Sequence, residues 1–496
     1  MNIALFMQMA AEACADRVAL THAGVHFTYE QLFDSSKKAA KHFSESDCEF
    51  VSVMDVSSPA VPIAMMGAAM AGITYVPLNY RLSSEQINEQ LARIEPVFLI
   101  VDDSQVNDYE IKGTVSGRRG LLAELETKPS NDFTWQEDPS AIAIQLFTSG
   151  TTGTPKAAIL RHEHLVSYIL SSIEFMGAEP EQAALISVPP YHIAGISSIL
   201  SSIYACRRMV QLPNFDPDEW LRLCANEKVT NAFVVPTMLI RIIEQIEQTQ
   251  FDLASLKSLT AMAYGGGKMP VPVIERALEL LPEINFTNAY GLTETSSTIS
   301  LLDPDDHRNA LTDTDPIIKS RLGSVGKALP GVEIEVRDDD GNRLAPFEPG
   351  EIYVRGPQVS GEYLERNALI DDGWFPTRDA GHLDEEGYLF LSGRADDVIV
   401  RGGENISPAE IEDVLHGHDA IRDVAALAIP SEEWGEAVGL AVVLKGGAEL
   451  SEDEINAVIR AKLRSSRIPA QLVFADELPY NESGKLLRRV MKAWFE

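Results

Sequence analysis

Apolar positions along this chain follow two rhythms that alternate. Short runs such as residues 141–147 (AIAIQLF) and 259–264 (LTAMAY) carry the pattern of buried strands. Other segments space their apolar residues three and four apart, as at Ile274, Ala277, Leu278 and Leu281, and these predict helices. One unit can be drawn in full: the strand 259–264, a glycine loop at 265–267, the helix, and a second strand at 284–289 (INFTNA). Strands joined through a helix run parallel, so the loops that follow them leave the same sheet edge and line one crevice. Those loops are Gly265-Gly266-Gly267 and the YGLTET of residues 290–295. Alternation of this kind through most of residues 1–390 predicts an α/β body.

Residues 62–78 are the most apolar stretch, but Gly67, Gly72 and Thr74 interrupt it, which predicts a buried helix running into a strand, with no membrane span. The first residues lack the basic start of a signal peptide. A polar stretch at 392–397 (SGRADD) separates two apolar runs and predicts a hinge. Beyond it, 407–410 (SPAE) and 451–454 (SEDE) match the helix capping box, and apolar runs at 424–429, 438–444 and 472–474 predict strands. The expected fold is α/β, with a large multi-layer N-terminal domain over 1–395 and a small mobile α+β domain over 396–496. A chain of 496 residues exceeds what one core usually supports, which agrees with this division.

Composition narrows the function. With 41 basic and 74 acidic residues the net charge is −33, which argues against a nucleic-acid surface or docking on anionic lipid. Cys14, Cys48, Cys206 and Cys224 show no CxxC spacing, so neither disulfides nor structural zinc are expected and a reducing cytoplasm fits.

The densest chemistry lies at 146–158, LFTSGTTGTPKAA. Gly150 and Gly153 allow backbone N–H groups to turn toward an anion. Thr148, Ser149, Thr151, Thr152 and Thr154 supply hydroxyls, and Lys156 supplies charge. A solvated polar turn has the same composition. The Walker A spacing is absent, which disfavours an ordinary P-loop nucleotidase. Four more polar, glycine-bearing segments follow apolar strands: YGLTET at 290–295, GWFPTRDAGHLDEEGYLFLSGR at 373–394, DDVIVRGGENISPAEIE at 396–412 and PYNESGK at 479–485.

In order and content these five segments resemble the core motifs of the adenylate-forming superfamily, most nearly its AMP-forming acyl-CoA ligases. The superfamily also includes peptide-synthetase adenylation domains and luciferases. The resemblance implies that ATP and a carboxylic acid form an acyl-adenylate and pyrophosphate, after which a thiol takes the acyl group. ATP, Mg²⁺ and coenzyme A are the implied cofactors. By motif position, Thr148 to Gly153 and Lys156 would hold the β- and γ-phosphates. Tyr290 would offer the adenine a flat face, Gly265, Gly266 and Gly267 would let backbone approach it, Asn288, Ala289 and Gly291 would belong to the same ATP site, and Thr293 would meet the α-phosphate. Glu294 is the implied Mg²⁺ ligand, since magnesium takes one or two carboxylates beside phosphates. Asp379 would accept from the ribose hydroxyls and Arg394 would add a second sugar contact.

Lys485 matches the lysine that bridges acid and α-phosphate during adenylation. Asp396 matches the pivot of the small domain, which presents either Lys485 or the Gly402-Gly403 loop to the site. Two positions depart from the pattern: Arg378 stands where the family usually has Gly, and Val400 stands where lysine is frequent. For the acid, His192 in PPYHIAG is the implied orienting or gating group, and Ile193 disfavours an α-amino acid. Gly291 and Ala289 suggest an open, uncharged pocket. Ile196, Phe233, Pro236, Met238 and Ile299 are expected walls, which favours an aromatic or medium- to long-chain fatty acid. No carrier-protein segment follows residue 496, so free CoA is the expected thiol and a separate acyl carrier protein the alternative. The basic cluster Arg460, Lys462, Arg464, Arg467, Lys485, Arg488, Arg489 and Lys492 would attract a phosphate-rich nucleotide or form a solvated helix face.

Overall fold

The helix Ala60–Ala71 is apolar on every side and buried on every side, as a helix without a polar face has to be. It packs against the helix Tyr29–Glu45 in a core to which two sheets contribute side chains. A computed structural model describes residues 1–129, 133–135, 137–148, 155–394, 397–401, 404–431, 434–480 and 486–495. Among the described residues the chain forms four sheets. The eight-stranded sheet holds Ile142–Thr148 and Lys156–Arg161 as an antiparallel hairpin. The nine-stranded sheet holds Ala261–Gly265 and Asn285–Leu292 as parallel neighbours, joined through the helix Val271–Leu280.

That parallel pairing aligns Gly265 with Ala289, so the glycine loop and the 290–295 segment do leave one edge. The next strand, Ser297–Leu302, runs back antiparallel. The expected alternation stops here. Four strands within residues 333–394 instead build a third, antiparallel sheet in the order Glu333–Arg337, Gly350–Arg355, Phe375–Leu383, Leu389–Arg394. Their apolar residues alternate with polar ones, and the inward face packs around Tyr290 and Ile299.

The C-terminal part is the expected small α+β unit. Ile421–Ser431, Gly435–Leu444 and Gln471–Phe474 lie side by side, with the helices Pro408–His416 and Glu452–Lys462 packed on them. Ser451 and Glu454 form the expected capping box. Ser407 does not: its hydroxyl donates to the Ser392 carbonyl at 2.7 Å, so the side chain that would cap the helix ties it to the third sheet. The expected hinge residue Asp396 lies outside the described residues.

The hairpin of Asn285–Leu292 with Ser297–Leu302 carries a register shift after Tyr290, and Ser297 has a φ of 119°. This bulge presses its backbone onto Gly291. A Cβ at Gly291 would stand 1.8 Å from the Ser297 oxygen. The glycine is therefore demanded by close backbone approach. Gly291→Ala should lower the stability of the large domain by about 3 kcal/mol, the upper range for overpacking a site that cannot relax, as measured by urea unfolding.

Candidate functional site

Parallel register brings the loops together, and hydrogen bonds then fix their side chains. Tyr290, near the end of its strand, donates its hydroxyl to Asp379 Oδ2 at 2.6 Å. Asp379 sits in the third sheet directly across from Arg394, whose Nη1 lies 3.0 Å from Asp379 Oδ1. The same nitrogen donates to the Thr377 carbonyl at 3.0 Å. Burial, reinforced by the Asp379 charge, pushes the Tyr290 hydroxyl well above its usual range, so it stays a donor. Tyr290 is only 9% exposed, and its ring packs in the apolar cluster with Ile299, Val325 and Phe375.

The neighbouring Arg378 has a φ of 62°, the left-handed region that glycine enters without strain. That conformation accounts for the glycine usual at this position; nothing in the structure explains the arginine, which occupies it at a cost of about 1–2 kcal/mol. Its N–H donates to Glu351 Oε1 at 3.2 Å, which anchors the strained residue.

Glu294 is the middle residue of the short 3₁₀ turn Thr293–Thr295 and is buried. Tyr363 donates its hydroxyl to Glu294 Oε1 at 2.5 Å. Burial, with the Glu294 charge, raises the Tyr363 hydroxyl far above its ordinary value. Lys156 Nζ lies 5.7 Å from the centre of the Tyr363 ring. Lys156 pairs with Thr148, the last described pair of their hairpin; Ser149, Gly150, Thr151, Thr152 and Gly153 lie outside the described residues. Asn288 is buried and donates to the Ser324 carbonyl at 3.0 Å, bracing the strand below the site. Gly266 and Gly267 are exposed at the crevice, and the adjoining Lys268 reaches Asp413 of the small domain at 2.8 Å.

On the acid side, His192 stands at the N-cap position of the helix Ile193–Tyr204 without a side-chain capping bond, and its ring lies 4.6 Å from that of Tyr191 between centres. Its Nε2 is enclosed without a hydrogen-bond partner among the described residues. Burial, with help from the Arg81 charge, lowers its pKa to about 4, so the ring is neutral at pH 7. Ile196, Met238 and Ile299 belong to three different core clusters, with Ile193 and Phe233 packed at two of their margins. Ile196 and Ile299 are wholly enclosed in this arrangement. Met238 instead lines a cleft of about 150 Å³ with Tyr80, Arg81, Pro189, Phe215 and Arg241.

Comparison with known proteins decides the family. Residues 7–364 match the AMP-binding enzyme family and residues 410–485 match its C-terminal domain. The chain belongs to the AMP-binding enzyme family. It is 32% identical to a 2-succinylbenzoate–CoA ligase of Bacillus cereus, over 97% of this chain and 96% of that one. A solved o-succinylbenzoate CoA synthetase from Bacillus subtilis, bound to its acyl-adenylate, superposes with a TM-score of 0.84 at 28% identity, covering 98% and 97% of the two chains. ATP-bound MatB from Rhodopseudomonas palustris superposes with a TM-score of 0.89 at 26% identity, covering 100% and 99%. The protein is an acid–thiol ligase of the AMP-forming acyl-CoA synthetase type. Among the described residues no helix is long and apolar enough to cross a membrane.

Within this family fold, Lys485, Gly402 and Gly403 lie outside the described residues. Two members of the basic C-terminal cluster are spent internally: Arg467 pairs with Glu404 and Glu410, and Arg488 with Glu412 and Asp397. Sequence reasoning passed over Tyr363 and Lys268. Lys268 adjoins the glycine loop in sequence, but nothing there marks Asp413 as its partner; Tyr363 is linked to the site only by its pairing with the strand that begins at Lys156.

His192 gives a pH test with a definite sign. Its folded pKa lies below the unfolded value, so the unfolded chain binds a proton that the folded ring refuses. Stability from this group is complete above pH 6.5 and drains as the pH falls toward about 4. Between pH 7 and pH 4.5, His192→Gln should lose about 2 kcal/mol less stability than the native protein in parallel urea titrations. His162, held at about 4 chiefly by burial, is present in both proteins and cancels.

Proposed function

We propose that the protein joins an aromatic carboxylic acid to coenzyme A through an acyl-adenylate, using ATP. The observation that carries this reading is the convergence at one sheet edge of Gly265, Tyr290 and Glu294, with Asp379 and Arg394 locked to Tyr290 from the third sheet. A carboxylate is a poor electrophile with a poor leaving group. Transfer to the α-phosphate with loss of pyrophosphate corrects both faults, and the thiol then displaces AMP.

On this reading Asp379 and Arg394 hold the ribose, Gly265 to Gly267 and residues 288–291 enclose the adenine, and Thr293 meets the α-phosphate. The hairpin turn 148–153 and Lys156 hold the outer phosphates. Glu294 suits a magnesium ion: a single buried carboxylate, one oxygen fixed by Tyr363, with phosphates completing the shell. The ion supplies charge neutralisation at the phosphates. His192, neutral and with an unsatisfied enclosed nitrogen, orients the acid by a hydrogen bond. Lys485 stabilises charge developing between acid and α-phosphate, and rotation about Asp396 exchanges it for the Gly402-Gly403 loop in the thioester step, making 396 the boundary between the two domains. The aromatic class is supported by the acid named for the Bacillus relatives, 2-succinylbenzoate, and by apolar neighbours around His192. Medium- or long-chain fatty acids form the second class.

The deciding experiment measures AMP and pyrophosphate across aromatic, fatty, dicarboxylic and amino acids, with and without CoA. Turnover that requires both CoA and one acid class is expected. A single burst indifferent to CoA would assign the acyl group to a carrier protein, and ADP formation or acid independence would refute the reading. Lys485→Ala should lose about 10²- to 10³-fold in adenylation while retaining thioester formation from pre-made acyl-adenylate. Equal loss in both steps would count against the rotation.

A further inference from the structure

Tyr363 lies outside every motif that pointed to the site, yet two of the site's arms meet on it. It stands in the two-residue strand Glu362–Tyr363, paired with Ala158 on the strand that begins at Lys156. Its hydroxyl holds Glu294 Oε1 at 2.5 Å while Lys156 Nζ faces its ring at 5.7 Å. The same segment grips Glu294 from behind. The N–H groups of Ser360 and Gly361 donate to the Glu294 carbonyl at 2.9 and 3.2 Å, and the Ser360 hydroxyl reaches that oxygen at 3.3 Å. Glu294 is thus fixed at backbone and carboxyl by residues 360–363, leaving Oε2 without a hydrogen bond among the described residues.

We propose that Tyr363 is a positioning residue that aims the Glu294 carboxylate at the nucleotide's divalent cation and, through its ring, sets the Lys156 ammonium beside the same phosphates. The inference rests on the reading of Glu294 as a metal ligand. A glutamate has several rotatable bonds whose freedom is lost on binding metal. The phenol removes that freedom beforehand and selects which oxygen faces outward. Hydrogen-bond partners of metal ligands typically govern metal affinity by about 10- to 100-fold. Lys156 gains from the ring a direction that a flexible four-carbon stem does not have on its own.

Phenylalanine and leucine separate the two roles, since phenylalanine keeps the ring face and loses only the hydroxyl. The full chain is titrated with Mn²⁺ in the presence of α,β-methylene-ATP and followed by electron paramagnetic resonance, with Glu294→Ala in parallel. Metal-free binding of the analogue, melting temperature, kcat and KM are measured on the same proteins. Tyr363→Phe should weaken Mn²⁺ about tenfold, lower kcat with KM for the acid unchanged, and leave metal-free binding of the analogue intact. Tyr363→Leu should weaken metal-free binding as well. Native Mn²⁺ affinity in Tyr363→Phe, with Glu294→Ala impaired, overturns the proposal and leaves the metal reading standing. Native affinity in Glu294→Ala overturns both. A melting temperature lowered by more than about 5 °C in Tyr363→Phe would assign the hydroxyl to folding and also overturn the proposal.

Discussion

The Asp379 carboxylate accepts from Tyr290 on one oxygen and faces Arg394 on the other, and the geometry of the whole nucleotide side follows from that pair of contacts. Tyr290 belongs to the nine-stranded sheet, whereas Asp379 and Arg394 belong to the four-stranded one. Four residues further on, Glu294 is bound by Tyr363, whose strand extends the eight-stranded sheet. Residues 290–294 are therefore the joint at which three sheets without a common strand are fastened together. Apolar packing supplies most of the adhesion, but it tolerates sliding. Directed hydrogen bonds at a buried carboxylate do not.

Polar joints are a costly way to fasten sheets. A buried group left without its partner loses about 1–3 kcal/mol, and more when charged, so each contact is sensitive to the loss of any one member. The same sensitivity is what a reactive site requires. Donors and acceptors fixed in a low-dielectric crevice do not have to reorganise when charge develops on a phosphate or carboxyl oxygen. The left-handed backbone at Arg378 and the bulge at Ser297 fit this view: strain is held beside the residues whose aim matters, and the surrounding sheets enforce it.

What the sequence disclosed was local. Parallel pairing of the strands around the glycine loop followed from one helix between two apolar runs, and the capping box at Ser451 followed from four letters. Contacts between distant segments were not legible. Tyr290 to Asp379 spans 89 residues and Tyr363 to Glu294 spans 69. No periodicity encodes which sheet edge will meet which. The third sheet was not legible because its strands are only half-buried and three of the four run five or six residues, too few for an alternation to say which strands pair. Ser407 shows the limit in miniature: the capping letters are present, but the Ser392 carbonyl of the third sheet competes for the hydroxyl and wins.

Charge raises a last question of balance. A chain of −33 that handles ATP and CoA works against its own field. Screening limits that repulsion: at physiological salt the Debye length is about 8 Å, so acidic residues on the far surfaces contribute little in the crevice. The local inventory decides instead, and there Lys156 and Arg394 stand near the phosphate and ribose positions proposed above, with the arginine already half neutralised by Asp379. The metal ion has to supply much of the remaining positive charge. On the proposed reading of Glu294 as the metal's ligand, the aim of that one carboxylate therefore weighs on nucleotide binding through the few charges of the crevice itself, whatever the sign of the distant surface.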